Sequence, residues 1–306
     1  MKRTRRDVLK LLGVAAATSM LPSGIKAGNT TTMLQRSIPS TSEKLPVIGL
    51  GSWIQFDVGD STEDQKLLLE VLTQMKELGG KVIDSSPMYG RSEKVIGDLT
   101  TQLAISDHFF YATKVWTTGE QSGITQMESS MAKMQRKKLD LIEVHNLQDW
   151  KTHLRTLNAW KELGKIRYTG LTHYTSSAHD QLERIIKTEK VDFIQFNYSI
   201  RDRNAEKSIL NTAAKQGVAV IVNEPFDSGS LFSVVKGKKL PSWAVDYDIT
   251  SWAQYFLKYI IAHPAVTCVI PGTSDPLHLI DNMNAGFGNL PDEKGKLKMI
   301  SYLEGL

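Results

Sequence analysis

Four residues of this chain could together handle a proton. Asp84 follows the apolar run Lys81-Val82-Ile83, and Tyr89 lies a few residues further on. Lys114 follows Phe110-Tyr111-Ala112-Thr113, and His145 follows Leu141-Ile142-Glu143-Val144. Each run has the length and the β-branched or aromatic character of a buried strand. A titratable group just past such a strand suffers desolvation unless it is paired or used. Three such groups at equivalent strand ends point to one shared site. Tyrosine ionises near pH ~10, so alone it is a poor proton donor at neutral pH. An ammonium group beside it stabilises the phenolate and lowers that value. A carboxylate would keep the ammonium charged and oriented, and an imidazole could orient a carbonyl oxygen or relay the proton. The set suits protonation of a carbonyl oxygen. A hydride partner would have to be a cofactor, because no side chain supplies hydride.

The elements that must position these groups follow from the same periodicity. Short apolar runs at 46–50, 81–83, 109–112, 139–144, 166–171, 191–196, 218–222 and 266–270 read as buried strands. Amphipathic stretches at 63–78, 124–134, 150–163, 178–188, 206–216 and 250–262 read as helices, the first with Leu67, Leu68, Val71, Leu72 and Met75 on one face. Eight strands alternating with helices make an α/β chain, either a (β/α)8 TIM barrel or a doubly wound open sheet. No G-x-G-x-x-G follows the first strand, and the chemical residues close several different strands, which favours the barrel. Residues 45–306 carry no composition break and read as one domain.

The segment Ile83-Asp84-Ser85-Ser86-Pro87-Met88-Tyr89-Gly90-Arg91-Ser92-Glu93 resembles the aldo-keto reductase family, whose catalytic Asp, Tyr, Lys and His match Asp84, Tyr89, Lys114 and His145 in order. The resemblance runs from about Leu45 to about Asn282. It implies an oxidoreductase that reduces an aldehyde or ketone with NADPH or, alternatively, NADH. Gly51 and Ser52 close the first strand near the cofactor, and Trp53 and Trp116 are placed toward the substrate. Thr172 and His173 stand where the family has a Ser-Asn pair on the nicotinamide carboxamide, and Gln195 matches its carboxamide-binding glutamine. Asn223 replaces the tyrosine that commonly stacks on the nicotinamide, which leaves Phe226 as the substitute. Thr273, His278, Asp281 and Asn282 align with the phosphate-binding and adenosine-binding stretch. There the usual lysine is Gly272 and the usual arginine is His278, which weakens the preference for a 2′-phosphate.

The chain has 306 residues and a net charge of +4, and much of that excess lies in Lys2, Arg3, Arg5, Arg6 and Lys10. The rest is near neutral, which gives no basis for nucleic-acid binding. The single cysteine, Cys268, excludes an internal disulfide and a cysteine metal cluster, and its apolar surroundings read as core. Residues 1–27 resemble a twin-arginine export signal. Thr4-Arg5-Arg6-Asp7-Val8-Leu9-Lys10 precedes an apolar run too short to span a bilayer, and Ala27 offers a small residue for cleavage. That resemblance implies passage through the Tat translocase to the periplasm or beyond, already folded, with no lasting membrane anchor. Residues 28–44 read as a flexible lead-in.

Two other readings use the same residues. One is a non-catalytic cofactor-binding barrel serving as a sensor or subunit. The other is a metal-dependent hydrolase using His145 with Glu143, which share a strand face, but no second cluster of histidine ligands accompanies them. The substrate is expected to be a small-molecule carbonyl compound and the protein a monomer. Gly286, Gly288 and Pro291 interrupt the tail after Asn282, which suggests an open mouth.

Overall fold

The alternation of side chains along each strand decides what faces the axis of this molecule. The computed structural model describes residues 32–59 and 62–306. The export signal expected over 1–27 lies outside the described residues. The elements run β1 (Gln35–Ser37), β2 (Lys44–Pro46), β3 (Leu50–Gly51), α1 (Thr62–Glu77), β4 (Val82–Asp84) and α2 (Ser92–Gln102). Then come β5 (Phe110–Val115), α3 (Glu120–Lys133), β6 (Leu139–His145), α4 (Trp150–Glu162), β7 (Ile166–Thr172) and α5 (His179–Ile186). The chain continues with β8 (Phe193–Asn197), α6 (Ile209–Gln216), β9 (Ala219–Asn223), α7 (Ser230–Val234), α8 (Trp252–Ile261), β10 (Val266–Val269), α9 (Pro276–Asn284) and α10 (Glu293–Glu304).

Strands β3 to β10 form one sheet in chain order, with every neighbouring pair parallel. The sheet closes on itself where Ile48 bridges Val269 and Gly51 bridges Gly272. The Gly49 N–H donates to the Val269 carbonyl at 2.8 Å, and the Val269 N–H donates to the Val47 carbonyl at 2.9 Å. This is the (β/α)8 barrel, and closure removes the open doubly wound sheet from consideration.

The core has two layers because each strand is buried on both faces. Val82, Phe110, Leu141, Tyr168, Phe193 and Cys268 fill the barrel interior. A second layer joins strands to helices, and α1 contributes Leu68, Val71, Leu72 and Met75 to it. Leu67, expected on that face, is 46% exposed. It adjoins Leu68 in sequence, about 100° away around the helix, and only Leu68 faces in.

The lead-in expectation fails for its described part. β1 and β2 pair antiparallel, with Arg36 opposite Leu45. Ile38 and Leu45 are buried and join the interior cluster, so the hairpin closes the end of the barrel where the strands begin. Arg36 fastens the hairpin by donating to the carbonyls of Ile261, His263 and Val266. Beyond Asn282 the tail does not stop. Asp292 caps α10 through the Gly295 N–H, and Met299 and Leu303 pack into the outer layer.

Candidate active site

Counting in twos along each strand gives the site directly. Inward positions Val82, Phe110, Leu141, Tyr168 and Phe193 belong to the apolar interior. The inward positions nearer the carboxyl ends are Asp84, Lys114, Glu143, His145, Thr172 and Gln195, all buried. The barrel therefore changes from hydrocarbon to a polar cluster at the end where barrel active sites form.

The four expected residues converge. Lys114 Nζ donates to Asp84 Oδ2 at 2.6 Å and to the Ser85 carbonyl at 2.8 Å. The same ammonium lies 5.4 Å from the centre of the Tyr89 ring. That ring meets His145 edge to face, with centroids 5.8 Å apart. Burial works against the Lys114 charge, but its neighbours, Asp84 foremost, more than offset it and hold the group above the ordinary lysine range. Tyr89 departs from expectation. Burial raises its phenol above the ordinary value, and Lys114 opposes that rise without reversing it. The resting side chain is therefore a phenol with a proton to give. Burial, then the charges of Lys114 and His173, push His145 down to about 3, so its imidazole is neutral. Its Nδ1 is 3.0 Å from Ser86 Oγ, a partner that the sequence did not single out.

Local structure fixes Tyr89. Its N–H donates to the Ser86 carbonyl, and its own carbonyl accepts from the Ser92 N–H at the start of α2, both at 3.0 Å. Gly90 turns the chain with φ +57°, and a Cβ there would overlap the Asp57 carboxylate. That carboxylate accepts the Arg91 N–H at 2.9 Å, so the turn carrying Tyr89 is tied to the loop after β3.

The expected cofactor residues divide into two groups. Phe226, Thr273, His278, Asp281 and Asn282 line one cavity of about 340 Å³, together with Ser251, Trp252 and Phe232. A wider open depression of about 630 Å³, lined by Ser176, Arg201 and Asp202 among others, includes none of the four catalytic candidates. Thr172, His173 and Gln195 gather at the ends of β7 and β8. Gln195 Oε1 accepts from Thr172 Oγ1 at 3.0 Å and from Asn223 Nδ2 at 3.2 Å. Its Nε2 donates to Asp84 Oδ1 at 2.9 Å and to Glu143 Oε2 at 3.0 Å. Both lone pairs and both protons of this amide are thus engaged within the protein. The His173 ring turns to its own loop, where Nδ1 accepts from the Tyr174 N–H at 3.0 Å.

Among the described residues, buried polar atoms without a hydrogen-bond partner include Asn223 Oδ1 and Ser52 Oγ, and also Ser85 Oγ and Glu143 Oε1. Such atoms are costly without a ligand or water. An acceptor oxygen at the end of β9 suits the N–H groups of a carboxamide, so the site fits a nicotinamide. The adenosine end is different in character. The Asp275 carboxylate caps α9 by accepting from the Leu277 N–H at 2.7 Å, which occupies the helix start expected for phosphate. The cavity lining includes no lysine or arginine. Asp281 accepts from Gln254 Nε2 at 2.7 Å. Trp53 and Trp116 stand on the loops after β3 and β5, exposed by 52% and 39%.

Comparison with known proteins agrees with this geometry. The sequence profile described as "Aldo/keto reductase family" matches residues 47–297. The chain is 27% identical over 263 residues to methylglyoxal reductase YeaE of Escherichia coli, covering 82% of this chain and 89% of that protein. It is 23% identical over 255 residues to an NADH-specific methylglyoxal reductase of the same organism, covering 72% of this chain and 76% of that one. Among solved structures, an aldo-keto reductase of Bacillus halodurans in its holo form superposes with a TM-score of 0.71 at 19% identity, covering 89% of this chain and 96% of that one. One from Klebsiella pneumoniae, in complex with NADP and acetate, gives 0.71 at 21% identity, covering 86% and 93%. The chain belongs to the aldo/keto reductase family.

Proposed function

We propose that this protein is an NAD(P)H-dependent carbonyl reductase that converts an aldehyde or ketone to an alcohol, with Tyr89 as the proton donor. The observation that carries the reading is the Lys114 ammonium set between the Asp84 carboxylate and the Tyr89 ring. A bound reduced nicotinamide supplies the hydride. Tyr89 Oη gives its proton to the carbonyl oxygen, and Lys114 stabilises the phenolate left behind. Asp84 keeps Lys114 charged and pointed at the ring. His145, neutral and held at Nδ1 by Ser86, orients the carbonyl. Asn223 and Ser52 offer polar contacts to the nicotinamide end, and Trp252, Phe226 and Asn282 wall the adenosine end. NADPH is the first candidate, in keeping with the Klebsiella structure, and NADH the second, in keeping with the NADH-specific relative. The substrate is a small molecule entering past Trp53 and Trp116, and the enzyme acts as a monomer. The test is oxidation of each reduced cofactor with a panel of aldehydes and ketones. Wild type should turn over and Tyr89→Phe should not, while cofactor affinity stays nearly unchanged; turnover surviving in the variant would refute the assignment.

Residues 1–27 are proposed to send the folded barrel out of the cytoplasm by the twin-arginine route. The paired Arg5 and Arg6, the short apolar run and the small Ala27 support this. Arg5→Lys combined with Arg6→Lys should leave the protein in the cytoplasm, and unchanged secretion would overturn the proposal.

A further inference from the structure

Glu143 takes no part in the proton transfer just described, yet it is fully buried inside the barrel. Strand register puts it opposite Lys114 on β5 and opposite Gly170 on β7. Gly170 makes the room. A Cβ there would lie 2.9 Å from Glu143 Cγ and 3.1 Å from Oε1. Glu143 Oε2 accepts from Gln195 Nε2 at 3.0 Å, and the same nitrogen donates to Asp84 Oδ1 at 2.9 Å. One amide nitrogen therefore bridges two carboxyl groups.

We propose that Glu143 is a positioning residue for the proton-donating pair, an uncharged carboxylic acid whose Oε2 fixes Gln195 and, through it, the Asp84 carboxylate that holds Lys114. This rests on the catalytic reading above. The charges facing Glu143 come from β4 and β5, as Asp84 and Lys114, with Tyr89 above them and His145 two residues on. One cation faces these two buried carboxyl groups, and of the two Lys114 bonds directly only to that of Asp84. The second carboxyl keeps its proton. Burial raises Glu143 well above its ordinary range; Lys114 opposes this and Asp84 adds to it. Because Gln195 donates to Oε2, the proton belongs on Oε1, which has no hydrogen-bond partner among the described residues. An ionised Glu143 would also disfavour the Tyr89 phenolate. Its neutrality leaves Asp84, with Glu224 a lesser contributor, as the charges that oppose Lys114 at Tyr89.

Three measurements on the full chain test this. Infrared difference spectra of wild type against Glu143→Gln at neutral pH should show the carbonyl stretch of one protonated carboxyl group in wild type only. Glu143→Gln keeps an acceptor oxygen and should retain kcat within about threefold. Glu143→Leu removes the acceptor and should lower kcat about tenfold or more, the scale of one lost buried hydrogen bond, with cofactor affinity little changed. Absence of the infrared band, or equal activity of the Leu and Gln variants, would overturn the proposal. Should the Leu variant fail to fold, the Gln variant still decides. Should wild type reduce no carbonyl compound, the catalytic reading fails, while the infrared band still reports the protonation of Glu143.

Discussion

Gln195 Nε2 lies 2.9 Å from Asp84 Oδ1, while Lys114 Nζ lies 2.6 Å from the other oxygen of the same carboxylate. The bond from Gln195 orients Asp84 across the barrel, from β8 to β4. Asp84 is thereby held from both sides, and the ammonium it fixes has one remaining direction to act in, toward Tyr89.

Lys114→Met should lower turnover about 10²- to 10⁴-fold, the usual weight of a positioned proton-transfer group. The loss should lie in kcat, and the Tyr89 phenol should rise further when the cation is gone. The variant should also lose stability, because Asp84 is left buried and uncompensated. Asp84→Asn combined with Lys114→Met should restore the thermal midpoint but not activity. Lys114→Arg should not rescue, since a planar guanidinium does not fit a site shaped for an ammonium. Steady-state kinetics and thermal melts decide each point.

Acid should destabilise the fold through His145. In the native chain the imidazole stays neutral down to about 3. In the unfolded chain it takes up a proton near its ordinary value of ~6.5. Between those values the unfolded state binds the extra proton, so stability falls as the pH falls. His145→Gln should flatten this part of the stability curve, measured by urea unfolding across the range. An identical acid limb in the variant would show that His145 does not contribute.

Gly90→Ala should cost more than an ordinary surface change. The residue has a positive φ, and the added methyl would overlap the Asp57 carboxylate. The turn carrying Tyr89 must then shift. We expect a loss of about 1–3 kcal/mol in stability with a larger proportional loss in kcat than in cofactor affinity. Asp57→Ala in the same chain should recover part of the thermal midpoint by removing the overlap.

His278→Arg should raise NADPH affinity about five- to tenfold and leave NADH affinity nearly unchanged, because a guanidinium restores a cation in a cavity that lacks one. Fluorescence titration with both cofactors measures this directly. An equal effect on the two would mean that the adenosine phosphate is not held near residue 278.

The barrel and the four convergent residues were legible because period two and strand-end position are properties of the sequence itself. Asp84, Lys114 and His145 each close an apolar run, and such runs become buried strands in either α/β architecture. What stayed hidden depends on registers between strands. Glu143 sits two before His145 and so had to face inward, but its approach to Gln195 requires β6 and β8 to be in place. Ser86 beside His145 and Asn223 beside Gln195 were hidden for the same reason. The hairpin over Gln35–Pro46 was missed because its polar exposed positions outnumber the two apolar anchors, Ile38 and Leu45. Asp275 carried a local signal, an acidic residue directly before a proline, which reads as a helix cap and not as an open phosphate seat.

The join between the first and last strands has a mechanical meaning. β6 and β7 pair over most of their length, whereas this seam is held by isolated bridges at Ile48 and Gly51. Ser274 Oγ reaches across it to Gln55 Oε1 at 3.1 Å, beside the cavity bordered by Gly272 and Thr273. The ring is thus clasped where its cavity lies. A molecule seated there leans on one flank of the clasp, so its binding energy also resists parting of the staves, and amides along this edge should exchange with solvent more slowly once the cavity is filled.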